Sequence, residues 1–159
     1  MRKRFFSLSF ALVALMSFSL SADAQADRKS VLAAEVNGTF RMNFTGKYRE
    51  FSNQIKILAL GGSKLRVGMD LVYPLTTGSG EKSVNMGSLD GEASISADTA
   101  IYQSAEFGPC KITIKFVKPG AIKVTQDGSD VDCGFGHNVT ANGTYRKMRG
   151  RKPKFEGAQ

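Results

Sequence analysis

The chain has 159 residues, with 22 Lys plus Arg against 14 Asp plus Glu, a formal charge of +8, one His and two Cys. That length allows one domain and excludes a multidomain enzyme, and the charge alone points to nucleic acid or an anionic membrane as partner. With 42 % hydrophobic residues, 11 Phe, 17 Gly and no Trp, the composition is globular, and one His with two Cys leaves little material for metal or nucleophile chemistry.

The first segment reads as an address. Met1-Arg2-Lys3-Arg4 is basic, Phe5 to Leu20 is apolar or small, and Ala22-Asp23-Ala24 is a small-x-small cleavage site. The apolar run of 16 residues is shorter than the roughly 20 that span a bilayer. The expectation is a secretory signal peptide over 1–24 with cleavage after Ala24. No Cys near the cleavage site could carry a lipid anchor. The mature protein is then periplasmic or secreted, with a lead-in over 25–36 that is helical in part.

The rest reads as strands. Phe40, Met42 and Phe44 alternate with Arg41 and Asn43; Asn53 to Leu60 follows; Gly61-Gly62-Ser63 is a hairpin signal. Lys64 to Tyr73 alternates strictly, with Leu65, Val67, Met69, Leu71 and Tyr73 on one face. Thr76 to Lys82 is the most flexible loop by composition. Leu89, Gly91, Ala93 and Ile95 share a face, and Ala97-Asp98 turns the chain into Thr99 to Gln103. Cys110, Ile112, Ile114 and Phe116 alternate with lysine and threonine; Pro119-Gly120 turns the chain into Ala121 to Gln126; Gly143 to Arg146 comes last.

About eight short antiparallel strands predict an all-β domain over 37–147, an up-and-down barrel of lipocalin or avidin size, with a compact sandwich as the alternative. The barrel is favoured by a repeat. Asn37-Gly38-Thr39-Phe40-Arg41 recurs as Asn142-Gly143-Thr144-Tyr145-Arg146, 105 residues later. Similar first and last strands fit neighbours that close a barrel and remove its edges.

Cys110 and Cys133 are an even count in an oxidising compartment, which points to one disulfide. It would close a loop of 23 intervals and contribute about 3 kcal/mol. The alternative, a redox or metal pair, lacks Cys-x-x-Cys spacing and further ligands. The segment Cys133-Gly134-Phe135-Gly136-His137-Asn138-Val139 is too particular for a generic turn. Phe135, His137 and Asn138 are candidate contact residues. Phe135 can equally plug the barrel end from beneath. A general-base role for His137 needs a nucleophile or orienting carboxylate, and no Gly-x-Ser-x-Gly exists. Asp127, Asp130 and Asp132 lack the calcium-loop spacing and read as turn carboxylates. Asn37, Asn43, Asn138 and Asn142 open Asn-x-Thr sequons, of use only to a host that glycosylates.

The run Gly91-Glu92-Ala93, Cys110-Lys111-Ile112-Thr113-Ile114, Cys133-Gly134-Phe135-Gly136-His137-Asn138-Val139 and Gly143-Thr144-Tyr145 resembles a small β-barrel domain that recurs in secreted bacterial proteins. Similar domains accompany periplasmic lysozyme-inhibitor-like proteins. The resemblance covers about residues 85–147. It implies a Cys110–Cys133 pair and an extracytoplasmic β domain, and it assigns no catalytic residue. The Ser-Gly-x-x-Tyr loop of such inhibitors has no match in this chain.

Arg146, Lys147, Arg149, Arg151, Lys152 and Lys154 put six cations within nine residues. With Gly150 and Pro153 present, 148–159 reads as a basic flexible tail, either solvated or attached to an anionic surface. Without the signal and the tail, the barrel is nearly neutral. The functional expectation is therefore a non-enzymatic binding or inhibitory protein that presents loops to a protein or envelope polymer. It uses no cofactor, no metal and no nucleic acid. A carrier of a small apolar ligand is the alternative, and a hydrolase using His137 the weakest reading.

Overall fold

The structure, a computed structural model, describes residues 30–148 and 153–155. The expected signal peptide, residues 25–29 of the lead-in, and Arg149, Arg151 and Lys152 lie outside the described residues. A single helical turn, α1 (Ala33–Val36), precedes eight strands: β1 (Gly38–Asn43), β2 (Ser52–Gly61), β3 (Lys64–Thr76), β4 (Lys82–Ser96), β5 (Thr99–Ser104), β6 (Cys110–Lys118), β7 (Ala121–Asp127) and β8 (Gly143–Lys147). They form a closed antiparallel barrel in chain order. The sandwich alternative is therefore set aside.

Period 2 sets the register. Most inward positions are apolar, so a one-residue slip would turn the core out to water. Phe40, Ile55, Ile57, Val67, Ile112, Ile114, Ile122 and Tyr145 are wholly or almost wholly buried. An eight-stranded barrel has an interior just wide enough for side chains to fill, and here they fill it. The outward positions carry Lys, Arg, Asp, Glu and Thr. This is the reverse of a membrane-spanning barrel, whose lipid-facing band is apolar. Among the described residues no helix is long and apolar enough to cross a membrane.

The two ends of the barrel differ. At one end the connections are two-residue hairpins, 62–63, 97–98 and 119–120. Here α1 lies over the opening, and Val36 is buried. At the other end lie 44–51, 77–81, 105–109 and 128–142, and this is the loop end. The expected loop at Thr76–Lys82 is a loop over 77–81, with only its end residues Thr76 and Lys82 in strand. β3 and β4 pair up to Thr76↔Lys82, and the Thr77 N–H donates to the Glu81 carbonyl at 2.8 Å.

The β3–β4 hairpin outruns its neighbours. β2 pairs with β3 only as far as Gln54↔Asp70, and β4 pairs with β5 only from Ser94 to Ser96. The edge of β4 before Ser94 therefore has no strand beside it. An open edge is a row of unpaired backbone groups that folded proteins cover, and the loop that covers part of it is the candidate site.

Candidate functional site at the loop end

Cys110 opens β6 and is bonded to Cys133, with the two Cα atoms 4.9 Å apart. The disulfide is a bond that persists in oxidising compartments, consistent with an extracellular or periplasmic location. It holds the 128–142 connection against the barrel rim.

Carboxylates shape the loop from within. The Asp132 carboxylate accepts from the Ser129 N–H at 2.8 Å and from its hydroxyl at 2.7 Å. The Asp130 carboxylate accepts from the Val131 N–H at 2.9 Å and the Asn138 N–H at 2.6 Å. Hydrogen bonds to the ionised form hold both carboxyls below the usual range, those from Asn138 and Val131 at Asp130 and those from Ser129 at Asp132. These oxygens are occupied by backbone, as turn carboxylates are. Among the described residues no group of three or more His, Cys, Asp or Glu is placed to hold a metal.

The loop then docks on the β4 edge. The Gly136 N–H donates to the Met86 carbonyl at 3.0 Å, and Asn85 Nδ2 donates to the His137 carbonyl at 2.8 Å. Phe135 fills the space over Gly87, where a Cβ would stand 2.8 Å from its ring. Phe135 is 6 % exposed, so it is a plug of the barrel end and leaves the set of surface contact residues. The cause is the glycine opposite, which opens a slot for the ring in the β4 wall.

His137 and Asn138 remain at the surface. The His137 side chain is 82 % exposed, and its Nδ1 is 3.8 Å from Asp130 Oδ2, beyond hydrogen-bond reach. Asn138 has φ +63°, a conformation that Asn tolerates better than most residues. The same loop is bordered by apolar side chains that alternation does not single out. Met86, Phe107 and Val131 are 70 %, 64 % and 66 % exposed. Phe107 lies against Gly134, where a Cβ would meet its ring at 2.7 Å, and the Gly134 N–H bonds the Val131 carbonyl at 2.9 Å. All three residues therefore border one disulfide-held loop. Their only sequence signal is an apolar residue where water is expected, as in Glu106-Phe107-Gly108-Pro109.

The basic tail divides. Lys147 points inward and donates to the Ala34 and Glu35 carbonyls at 2.6 and 3.3 Å, with its ammonium 5.9 Å from the Phe40 ring centroid. It ties α1 to the barrel and leaves the anion-binding set, because strand alternation carries through Lys147. Arg146 is outward and exposed, and Lys154 is exposed. Beside Lys154, Pro153 is buried. Phe155 lies over Gly68 with the Arg66 guanidinium 4.5 Å from its ring centroid, so this stretch of the tail rests on the wall. Of the sequon asparagines, Asn37 and Asn142 spend their side-chain oxygens on the Ala59 and Gln126 N–H groups, while Asn43 and Asn138 are exposed.

Fold and rim together define a filled, disulfide-pinned barrel with an apolar loop end. No family model, curated protein or solved structure matches the chain.

Proposed function

We propose that the protein is an extracytoplasmic, non-enzymatic binding protein whose loop end takes a protein partner. The observation that carries this reading is the gathering of exposed Met86, Phe107 and Val131 around a loop held by Cys110–Cys133. Contiguous exposed apolar side chains mark interaction surfaces, and loops on a rigid scaffold are where binding concentrates. His137 and Asn138 supply polar rim contacts beside that centre. The filled interior supports loop presentation over carriage of a ligand inside the barrel. The 3.8 Å separation of His137 and Asp130 supports binding over hydrolysis, which needs an oriented base. Inhibition of an enzyme is one outcome such a surface can have.

The test uses immobilised protein and the secreted or periplasmic fraction of the producing cell. A partner retained by the wild type is then titrated against Phe107→Ser/Val131→Ser and His137→Ala. Loss of two central apolar contacts weakens a true interface by about tenfold or more, with a smaller effect from the rim histidine. Equal affinity of the wild type and the double variant would remove the loop end as the site.

A further inference from the structure

A second surface, away from the loop end, carries its own argument. The outer wall formed by β2, β3 and β4 is electrically paired. Lys56 contacts Asp70 at 3.0 Å, Lys64 contacts Glu92 at 3.2 Å, and Arg66 contacts Asp90 at 2.9 Å. The outer wall formed by β6, β7, β8 and β1 is arranged in the opposite sense. Arg41 on β1 stands directly opposite Arg146 on β8, and Lys115 on β6 stands directly opposite Lys123 on β7. Like charges placed directly across a ladder are destabilising.

Among the described residues, two carboxylates lie on or beside this wall's lysines. Lys115 lies 4.0 Å from Asp98, and Asp127 faces Lys111 at the loop end of the wall. Among the described residues, no carboxylate lies within ion-pair distance of Arg41, Lys123 or Arg146. Arg41 Nε is also buried without a hydrogen-bond partner, an arrangement that native structures rarely leave unexplained. Arg146 faces Ala121, two residues before Lys123, and Lys123 faces Thr144. The cations thus form one band across four adjacent strands, about 15 Å wide at the usual strand spacing.

We propose that this band binds a linear polysaccharide bearing carboxylates, laid across the strands. Charge complementarity selects an anion. The outward threonines Thr39, Thr113, Thr125 and Thr144 between the cations suit a hydroxyl-rich chain. No aromatic residue occupies an outward position on these four strands, so bases of single-stranded nucleic acid would find no stacking platform. The barrel wall is convex, so a flat bilayer would touch it along a line, whereas a flexible chain can follow the curve. This site is independent of the loop-end reading.

The probe is polygalacturonate, with dextran as neutral control, titrated into the full-length protein from about 50 to about 200 mM salt. Binding that weakens with salt is expected, with no binding to dextran. Arg41→Gln/Lys123→Gln/Arg146→Gln should lower the affinity by about tenfold or more and flatten the log–log salt slope by up to about three. The triple variant also removes both like-charge pairs, Arg41–Arg146 and Lys115–Lys123, so it should melt no lower than the wild type, which separates lost binding from lost folding. Arg149→Gln/Arg151→Gln/Lys152→Gln should retain most of the affinity. Absence of binding at low salt, or full binding by the wall variant, overturns the proposal. Tighter binding to phosphatidylglycerol vesicles or to single-stranded DNA than to polygalacturonate overturns the choice of occupant.

Discussion

Asn37–Arg41 and Asn142–Arg146 are near copies, and the barrel uses them in near-equivalent ways. Arg41 pairs with Arg146, so the local two-fold axis of the antiparallel ladder relates one copy to the other. Each Asn extends its strand by one side-chain hydrogen bond. Asn37 Oδ1 accepts from Ala59 at 2.6 Å and Asn142 Oδ1 from Gln126 at 2.7 Å. Gly38 pairs with Ile57 and Gly143 with Val124, so both bonds reach two residues beyond the glycine's partner. Each glycine clears room for a side chain of the other strand: a Cβ at Gly38 would stand 2.5 Å from Lys147 Cε, and one at Gly143 would stand 2.5 Å from Met42 Sδ. Each aromatic ring is fully buried. The copies part at the ring tip. Phe40 is edge-on to Phe116 at 6.4 Å, whereas the Tyr145 hydroxyl donates to the Ala141 carbonyl at 3.0 Å. The repeat closes the barrel, and its one chemical difference serves the loop: the tyrosine fastens the end of the 128–142 connection.

Truncating the rings tests the equivalence most severely. Phe40→Ala and Tyr145→Ala should each cost about 3–5 kcal/mol, read by denaturant unfolding. A small cost at either position would mean that only one copy bears the closure. Next comes the hydroxyl. Burial pushes the Tyr145 phenol up to about 12, opposed by a hydrogen bond with Asn53. An unfolded tyrosine ionises near 10. Its contribution is complete below the unfolded value and is lost as pH rises toward the folded one. The shift corresponds to about 2–3 kcal/mol lost between pH about 10 and about 12. Tyr145→Phe should remove that alkaline limb, and an unchanged limb would assign it to other groups.

The same repeat explains why closure was legible in the sequence and parts of the rim were not. Alternation at Lys64–Tyr73 and Cys110–Phe116 marks strands because one face is buried. β4 begins at Lys82, well before the pattern at Leu89 declares it. Its first half projects with β3 beyond β2 and β5, and its inward positions Gly87 and Gly91 are empty so that Phe135 and Tyr102 can enter. A strand whose core side chains are supplied by other segments has no periodicity of its own. Phe135 was readable as either plug or anchor, and Gly87 decides it. Met86, Phe107 and Val131 carry no pattern, since an isolated apolar residue in a loop or on an outer face looks like any other. Lys147 looked like tail because it is charged, although it continues the inward series after Tyr145.

The asparagines should separate the copies by environment. The Asn37–Ala59 bond is partly buried and the Asn142–Gln126 bond is exposed. An amide left unpaired away from water costs more than one that water can reach. Asn37→Ala should therefore cost about 1–2 kcal/mol and Asn142→Ala about 0.5–1 kcal/mol. Equal costs in chemical denaturation would mean that the two bonds share one environment.

The smallest effect lies on the axis itself. Arg146→Glu turns the Arg41–Arg146 pair from like to unlike charges, the arrangement used throughout the opposite wall. Cross-strand charge pairs are worth about 0.2–1 kcal/mol, so this variant should be more stable than the wild type by about that amount. The gain should shrink with salt, because exposed pairs are screened. A wild-type sequence that forgoes this gain at the seam of its barrel has placed two arginines where folding alone would place one. If Arg146→Glu is no more stable than the wild type at low salt, the pair is already neutralised by some other group, and the wall holds less unspent positive charge than its register implies.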